Sequence, residues 1–262
     1  MTDTDFDAGA PPAEAAHDDH VLASWTATVA RELLTKVRTQ GLEGKELKDA
    51  GDRAAHELLT RLLAEHRPDD AVLSEEGKDD KARLTSKRVW IVDPLDGTRE
   101  FSEPPRDDWA VHVALWQDGD LVAAAVAQPG LGTTFGTGEP PVVPPRSSER
   151  PRIAVSRTRP PEFVKALAEE IDAELVPMGS AGAKVISVAR DVTDAYVHAG
   201  GQYEWDSAAP VAVARAAGLH TSRIDGSELV YNQDDVLLPD LVVCRPELAE
   251  PILDFIRRNG IS

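Results

Sequence analysis

With 262 residues and 42% hydrophobic content, the chain is long enough to bury a sizeable core, either in one large domain or in two smaller ones. Its 46 acidic against 28 basic side chains leave a formal charge of −18, and no Lys/Arg block could track a nucleic-acid backbone, which argues against a polyanion-binding role. One cysteine, Cys244, rules out a disulfide within the chain, and no run approaches the roughly 18 apolar residues of a membrane-spanning helix. In chain order, residues 1–20 are rich in Asp, Ala and Pro and lack both a basic start and an apolar core. They read as a disordered acidic tail and not as a signal peptide, so the expected location is cytoplasmic. Val21, Trp25, Val29, Leu33 and Val37 recur at four-residue spacing and predict a long first helix. A second helix is expected where Asp52 precedes the apolar face Ala55, Leu58, Leu59, Leu62 and Leu63, with Pro68 as its stop. Short strands follow at 71–74 and 89–92, and 110–116 and 121–127 flank Asp118-Gly119 as a hairpin. Residues 21–137 thus form an N-terminal α+β half. The stretch 136–151 holds five prolines and no apolar period, so 138–151 is taken as a surface crossing between halves. Residues 152–262 form a C-terminal α/β half, with strands at 153–155, 175–176, 195–198 and 241–244 and helices at 161–173, 183–189, 206–217 and 246–258.

The chemistry concentrates where strands end in carboxylates. Residues 93–98 read Asp-Pro-Leu-Asp-Gly-Thr directly after the apolar run Val89-Trp90-Ile91-Val92. Pro94 fixes its own φ and biases Asp93 toward an extended conformation, while Gly97 permits a turn, so Asp93 and Asp96 can converge on one point. Asp-Pro and Asp-Gly are also ordinary turn formers, and company has to decide between the two readings. The strand pattern 71–74 likewise ends in Glu75-Glu76, and Glu204-Trp205-Asp206 opens a helical run, where Asp206 can serve as N-cap, as ligand, or as both. Crowded carboxylates repel and raise one another's pKa, so a cation is implied. The backbone N–H groups of Gly97 and Thr98, where they open a helix, would face an anion beside it. The seven histidines show no paired ligand spacing, and scattered Asp and Glu oxygens suit a hard cation better than a His or Cys cage would.

The segments WIVDPLDGTREF at 90–101, LSEE at 73–76 and EWDSAA at 204–209 resemble the three signatures of the inositol monophosphatase superfamily of Mg²⁺-dependent phosphatases. Arg99-Glu100-Phe101 looks more like the CysQ-type 3'-phosphoadenosine 5'-phosphate phosphatases than like the inositol phosphatases, which tend to carry Thr-Asn-Phe there. The resemblance implies a five-layered αβαβα sandwich with the site between its halves, and two or three Mg²⁺ ions. By the same resemblance, Glu75, Asp93 and the carbonyl of Leu95 would hold one ion, and Asp93, Asp96 and Asp206 a second. Thr98 would orient the attacking water with Glu75 or through Asp52. Here the chain departs from the family, since Lys48-Asp49-Ala50-Gly51-Asp52 lacks the usual Val-Thr-x-x-Asp run, and capping of a helix start remains the competing role for Asp52.

The expected substrate is a small phosphorylated nucleotide or sugar phosphate, with no nucleic-acid polymer and no membrane as partner. A homodimer is compatible with the sequence. The turn Gly179-Ser180-Ala181-Gly182-Ala183-Lys184 could take a phosphate on its N–H groups or be a plain helix start. The resemblance makes Ser180 and Lys184 candidates for a second phosphate or ribose, with Arg157 reaching the same region and Gly97, Thr98 and Asp206 completing the substrate side. The implied activity is removal of the 3'-phosphate of 3'-phosphoadenosine 5'-phosphate in sulfur metabolism, extending to 3'-phosphoadenosine 5'-phosphosulfate and sensitive to lithium. Action on inositol monophosphate or fructose 1,6-bisphosphate is the alternative. Because the cluster is self-repelling, Asp96→Asn is expected to leave the fold intact or firmer.

Overall fold

The structure, a computed structural model, describes residues 6–261. Two long helices, α1 (Asp19–Val37) and α2 (Gly44–His66), lead into β1 (Ala71–Ser74) and β2 (Arg88–Asp96). After the single-turn α3 (Thr98–Phe101) come β3 (Ala110–Gln117), β4 (Asp120–Gln128) and β5 (Thr133–Gly136), which complete a sheet of order β1-β2-β3-β4-β5. Only β1 and β2 run parallel; every other pair is antiparallel. The second sheet is built from β6 (Arg152–Ser156), β7 (Glu174–Met178), β8 (Ala195–Ala199), β9 (His220–Ser222) and β10 (Asp240–Cys244) in the order β7-β6-β8-β10-β9. Its helices are α4 (Glu162–Glu170), α5 (Ala181–Ala189), α6 (Glu204–Ala216) and α7 (Pro246–Arg258).

Three apolar clusters stack these elements into five layers. Trp90, Val92, Val111 and Val113 point from the first sheet onto α1 and α2. The alternate residues Val89, Ile91, Ala110 and Ala114 point the other way, onto α5 and α6, which also receive Ala154, Tyr196, Leu241 and Val243 from the second sheet. The far side of that sheet, including Ile153, Val197 and Val242, is covered by α4 and α7. The sandwich is therefore α-β-α-β-α. The central layer is rich in Ala and Val, and α5 is buried along its whole length. Its small side chains let both sheets close on it. Strand β2 needs no polar alternation because both its faces are covered.

Several expectations change. The tail is packed from Phe6 onward: Phe6 is 6% and Ala15 0% exposed, and Arg67 donates to the carbonyl of Ala15 at 3.0 Å. Phe6 and Ala15 are seated on α1 and α2, two apolar contacts that the acidic and proline residues around them concealed in the sequence; residues 1–5 lie outside the described residues. Helix α2 starts at Gly44 and not at Asp52, because Leu47 is already buried on its inner face one turn earlier. The short edge strands β5 and β9 carry no clean alternation and were not foreseen. Among the described residues, no helix is long and apolar enough to cross a membrane.

Candidate active site

The parallel register sets Ser74 beside Val92, so the next residues, Glu75 and Asp93, leave β1 and β2 side by side. The β2–β3 ladder shifts register between Asp93 and Asp96, at Pro94, which has no N–H to donate. The chain then turns through Gly97 at φ 86° into α3. From the other half, the start of α6 brings in Asp206, its third helical residue. One carboxylate oxygen each from Asp93, Asp96 and Asp206 lies within 4.8 Å of the others, and Glu75 stands close enough to Asp93 for each to shift the other's titration. Asp206 also accepts the N–H of Tyr203 at 2.7 Å, so it satisfies the helix start while facing the cluster.

Burial and mutual repulsion shape the protonation of this group. Desolvation, followed by the charge of Asp206, lifts the Glu75 carboxyl to about 7, although the residue is open to solvent at the cleft mouth. Desolvation and then Asp96 lift Asp206 to about 6, and Asp93 is raised well above the carboxylate range by burial and by Glu75. Asp96 goes the other way. Its burial alone would raise it, but His112, Ser180 and the N–H of Gly182 bring it down to about 2. An oxygen-only donor set that is crowded, half buried and short of positive charge fits a hard divalent cation.

Asp52 sits in the interior of α2, which removes the capping role. Gly51 is the reason it can reach the site: a Cβ there would lie 2.7 Å from the Phe101 ring, so only glycine lets α2 close on α3. Thr98 Oγ1 stands 3.5 Å from Asp52 and 3.2 Å from the carbonyl of Leu95. Burial and then the charge of Glu76 raise the Asp52 carboxyl to about 7.

The residues expected to hold the rest of a substrate are otherwise engaged. Lys184 is buried, with its ammonium donating to the carbonyls of Gly179 and Ser180 at 3.1 and 2.6 Å. Its charge holds the turn and does not face the cleft. The hydroxyl of Ser180 donates to Asp96, and the N–H groups of Ala181 and Gly182 donate to the same carboxylate at 3.1 and 2.7 Å. The start of α5 therefore takes Asp96, from the other half of the molecule, in place of a phosphate. These bonds, which Asn could keep only in part, argue against a firmer fold in Asp96→Asn. Arg157 lies beside this turn, its N–H bonded to the carbonyl of Met178 at 3.1 Å, but its guanidinium pairs with Glu100 at 2.6 Å and Glu103 at 2.7 Å.

Other residues were missed. Glu204 is 1% exposed and accepts the N–H groups of Asn232 and Gln233, each at 2.7 Å, while Arg83 binds the Asn232 side chain at 2.7 Å. Together they tie the loop at 231–235 to the segment after Glu75-Glu76. Asp108 accepts the N–H of Gly179 at 2.6 Å. His112 is wholly buried beside Asp96; a polar residue inside the apolar run Val111-His112-Val113-Ala114-Leu115 was the available signal.

The model of the inositol monophosphatase family matches residues 19–257. A 3'-phosphoadenosine 5'-phosphate phosphatase of Mycobacterium leprae (strain TN) is 49% identical over 253 residues, covering 91% of this chain and 93% of the relative. The 3'(2'),5'-bisphosphate nucleotidase CysQ of Escherichia coli (strain K12) is 32% identical over 202 residues, covering 72% of this chain and 81% of its own. The crystal structure of CysQ from Bacteroides thetaiotaomicron, a bacterial member of the inositol monophosphatase family, superposes with a TM-score of 0.75 at 26% identity, covering 86% of this chain and 96% of that one. The acidic cluster, the layered architecture and these matches along most of its length agree: the chain belongs to the inositol monophosphatase family.

Proposed function

We propose that the protein is a Mg²⁺-dependent phosphatase that hydrolyses the 3'-phosphate of 3'-phosphoadenosine 5'-phosphate, giving AMP and inorganic phosphate. The observation that carries this reading is the convergence of Glu75, Asp93, Asp96 and Asp206, from three distant segments, into a cluster with too little positive charge of its own. The substrate follows from the names of the relatives, at 49% identity over nearly the whole chain in the mycobacterial case.

Glu75, Asp93 and the carbonyl of Leu95 would hold one ion and Asp93, Asp96 and Asp206 another. When bound, the ions would neutralise the phosphoryl oxygens, acidify a nearby water and stabilise the departing 3'-oxygen. Thr98, bonded to the Leu95 carbonyl, presents its hydroxyl between the cluster and Asp52, where it can aim that water at phosphorus. Asp52, at about 7, is suited to take up the water's proton near neutral pH. The N–H groups of Gly97 and Thr98 would receive a phosphoryl oxygen. As the water oxygen bonds to phosphorus, the P–O3' bond breaks and the 3'-oxygen leaves with a proton from solvent.

Phosphate release from 3'-phosphoadenosine 5'-phosphate, inositol 1-phosphate and fructose 1,6-bisphosphate at equal concentration, with and without Mg²⁺, tests the proposal. The nucleotide should be fastest, and only with the metal. Preference for either sugar phosphate by about tenfold, worth about 1.4 kcal/mol in the transition state, would retire it.

A further inference from the structure

His112 lies in the middle of β3, 0% exposed, and the chemistry above makes no use of it. The ladder sets it opposite Asp93, on the face that looks into the central helix layer. Its two ring nitrogens meet two different parts of the cluster. Nε2 is 3.2 Å from Oδ2 of Asp96, a polar contact that lies off the hydrogen-bond line, and Nδ1 is 3.1 Å from the carbonyl of Trp205, the residue before Asp206. The ring cannot swing away from either, because Gly182 packs so tightly that a Cβ there would come within 2.1 Å of Nε2. A planar side chain with a polar atom on each side can span β2 and α6 in a way that neither an apolar residue nor a single hydroxyl can.

We infer that His112 is a positioning residue that fixes the separation of Asp96 on β2 from Asp206 on α6, and through it the affinity of the cluster for divalent cations. The inference rests on the reading of Asp96 and Asp206 as cation ligands. It places His112 behind the ligands, where loss of a supporting hydrogen bond weakens metal binding by about tenfold or more.

The test uses His112→Phe, which keeps bulk and removes both polar ends, and His112→Gln, which keeps one amide to offer. Mg²⁺ affinity is read by isothermal titration calorimetry, and melting is followed in EDTA and in Mg²⁺. Both folded variants should bind Mg²⁺ about tenfold more weakly or worse and lose most of the Mg²⁺-induced rise in Tm, whatever the shift in their metal-free melting. At saturating Mg²⁺ the KM for the nucleotide should stay within about twofold of wild type, because substrate contacts are untouched. A folded variant whose Mg²⁺ affinity stays within about twofold of wild type overturns the inference, as does a fall in metal-free melting with unchanged affinity, which would make the role purely structural. Should the Phe variant fail to fold, the Gln variant decides by the same thresholds. Asp96→Asn run in parallel separates the two levels: if it binds Mg²⁺ like wild type, the cation site itself is misread; if it loses Mg²⁺ while the His112 variants retain it, only the role of His112 falls.

Discussion

At the start of α7, Arg245 and Arg152 hold Asp191 and Asp194 from both sides: Arg245 reaches Asp194 at 3.0 Å and Asp191 at 2.6 Å, and Arg152 reaches them at 3.1 and 2.8 Å. At the ends of β1 and β2, no arginine among the described residues pairs with Glu75, Asp93 or Asp206, and His112 is committed to Asp96. Desolvation would raise Asp191 in the first cluster as it raises Glu75, Asp93 and Asp206 in the second. In the first it is overcome, and Asp191 falls below the usual carboxylate range through Ser147 and the guanidinium of Arg245. In the second it prevails, and the carboxyls are pushed up to about 7 at Glu75 and about 6 at Asp206. Residue type therefore does not distinguish a structural acid cluster from a ligand set. The balance of charge within hydrogen-bonding reach does.

The comparison is tested hardest by Asp93→Asn. Removing a carboxylate that both proposed ions share should lower the rate of phosphate release by about a thousandfold or more, yet leave the melting temperature in EDTA unchanged or higher, because Asn keeps an acceptor for the Leu95 N–H and ends the crowding that forces this carboxyl to hold a proton. Near-normal turnover, or a less stable metal-free protein, would break it. In the arginine cluster the outcome should reverse. Asp194→Asn, at a side chain that is 0% exposed, is expected to cost about 3 kcal/mol of stability because Asp191 alone is then left to pair Arg152 and Arg245, seen as a lower denaturation midpoint, while activity per folded molecule is retained. A smaller effect belongs to Asp52→Asn, for which kcat should fall by about a hundredfold and the acidic limb of the pH–rate profile near pH 7 should disappear.

The smallest effect is a pH dependence of opposite sign in the two clusters. Glu75, Asp93 and Asp206 have folded pKa values above their unfolded ones, so the folded form binds the extra protons. The contribution of Asp206 and Glu75 is fully present below about pH 4 and is lost as pH rises through about 6 to 7, and saturating Mg²⁺ should cancel that loss. Asp96, held at about 2, and Asp191, lowered in direction, contribute stability above about pH 4 that disappears as acid protonates them. Urea midpoints measured from pH 2 to pH 8, with EDTA and with Mg²⁺, separate these contributions; a metal-free midpoint that rises across pH 5 to 7 would contradict the first.

Sequence alone determined the acidic strand-turn, because Val89-Trp90-Ile91-Val92 can only be buried, Pro94 and Gly97 restrict the backbone locally, and Asp93 and Asp96 lie only three residues apart in the chain. The helix and strand periods and the Asp118-Gly119 hairpin were legible for the same reason: they depend on neighbours within a few residues. Tertiary structure decided everything that depends on residues far apart. It placed Asp52 inside a helix through the contact of Gly51 with Phe101, turned Lys184 and Ser180 inward to support the turn that receives Asp96, and drew Phe6 onto the first two helices. It also set His112 between Asp96 and the Trp205 carbonyl, a juxtaposition across 93 residues of chain that no local pattern encodes, since electrostatic partners are chosen by packing and not by spacing.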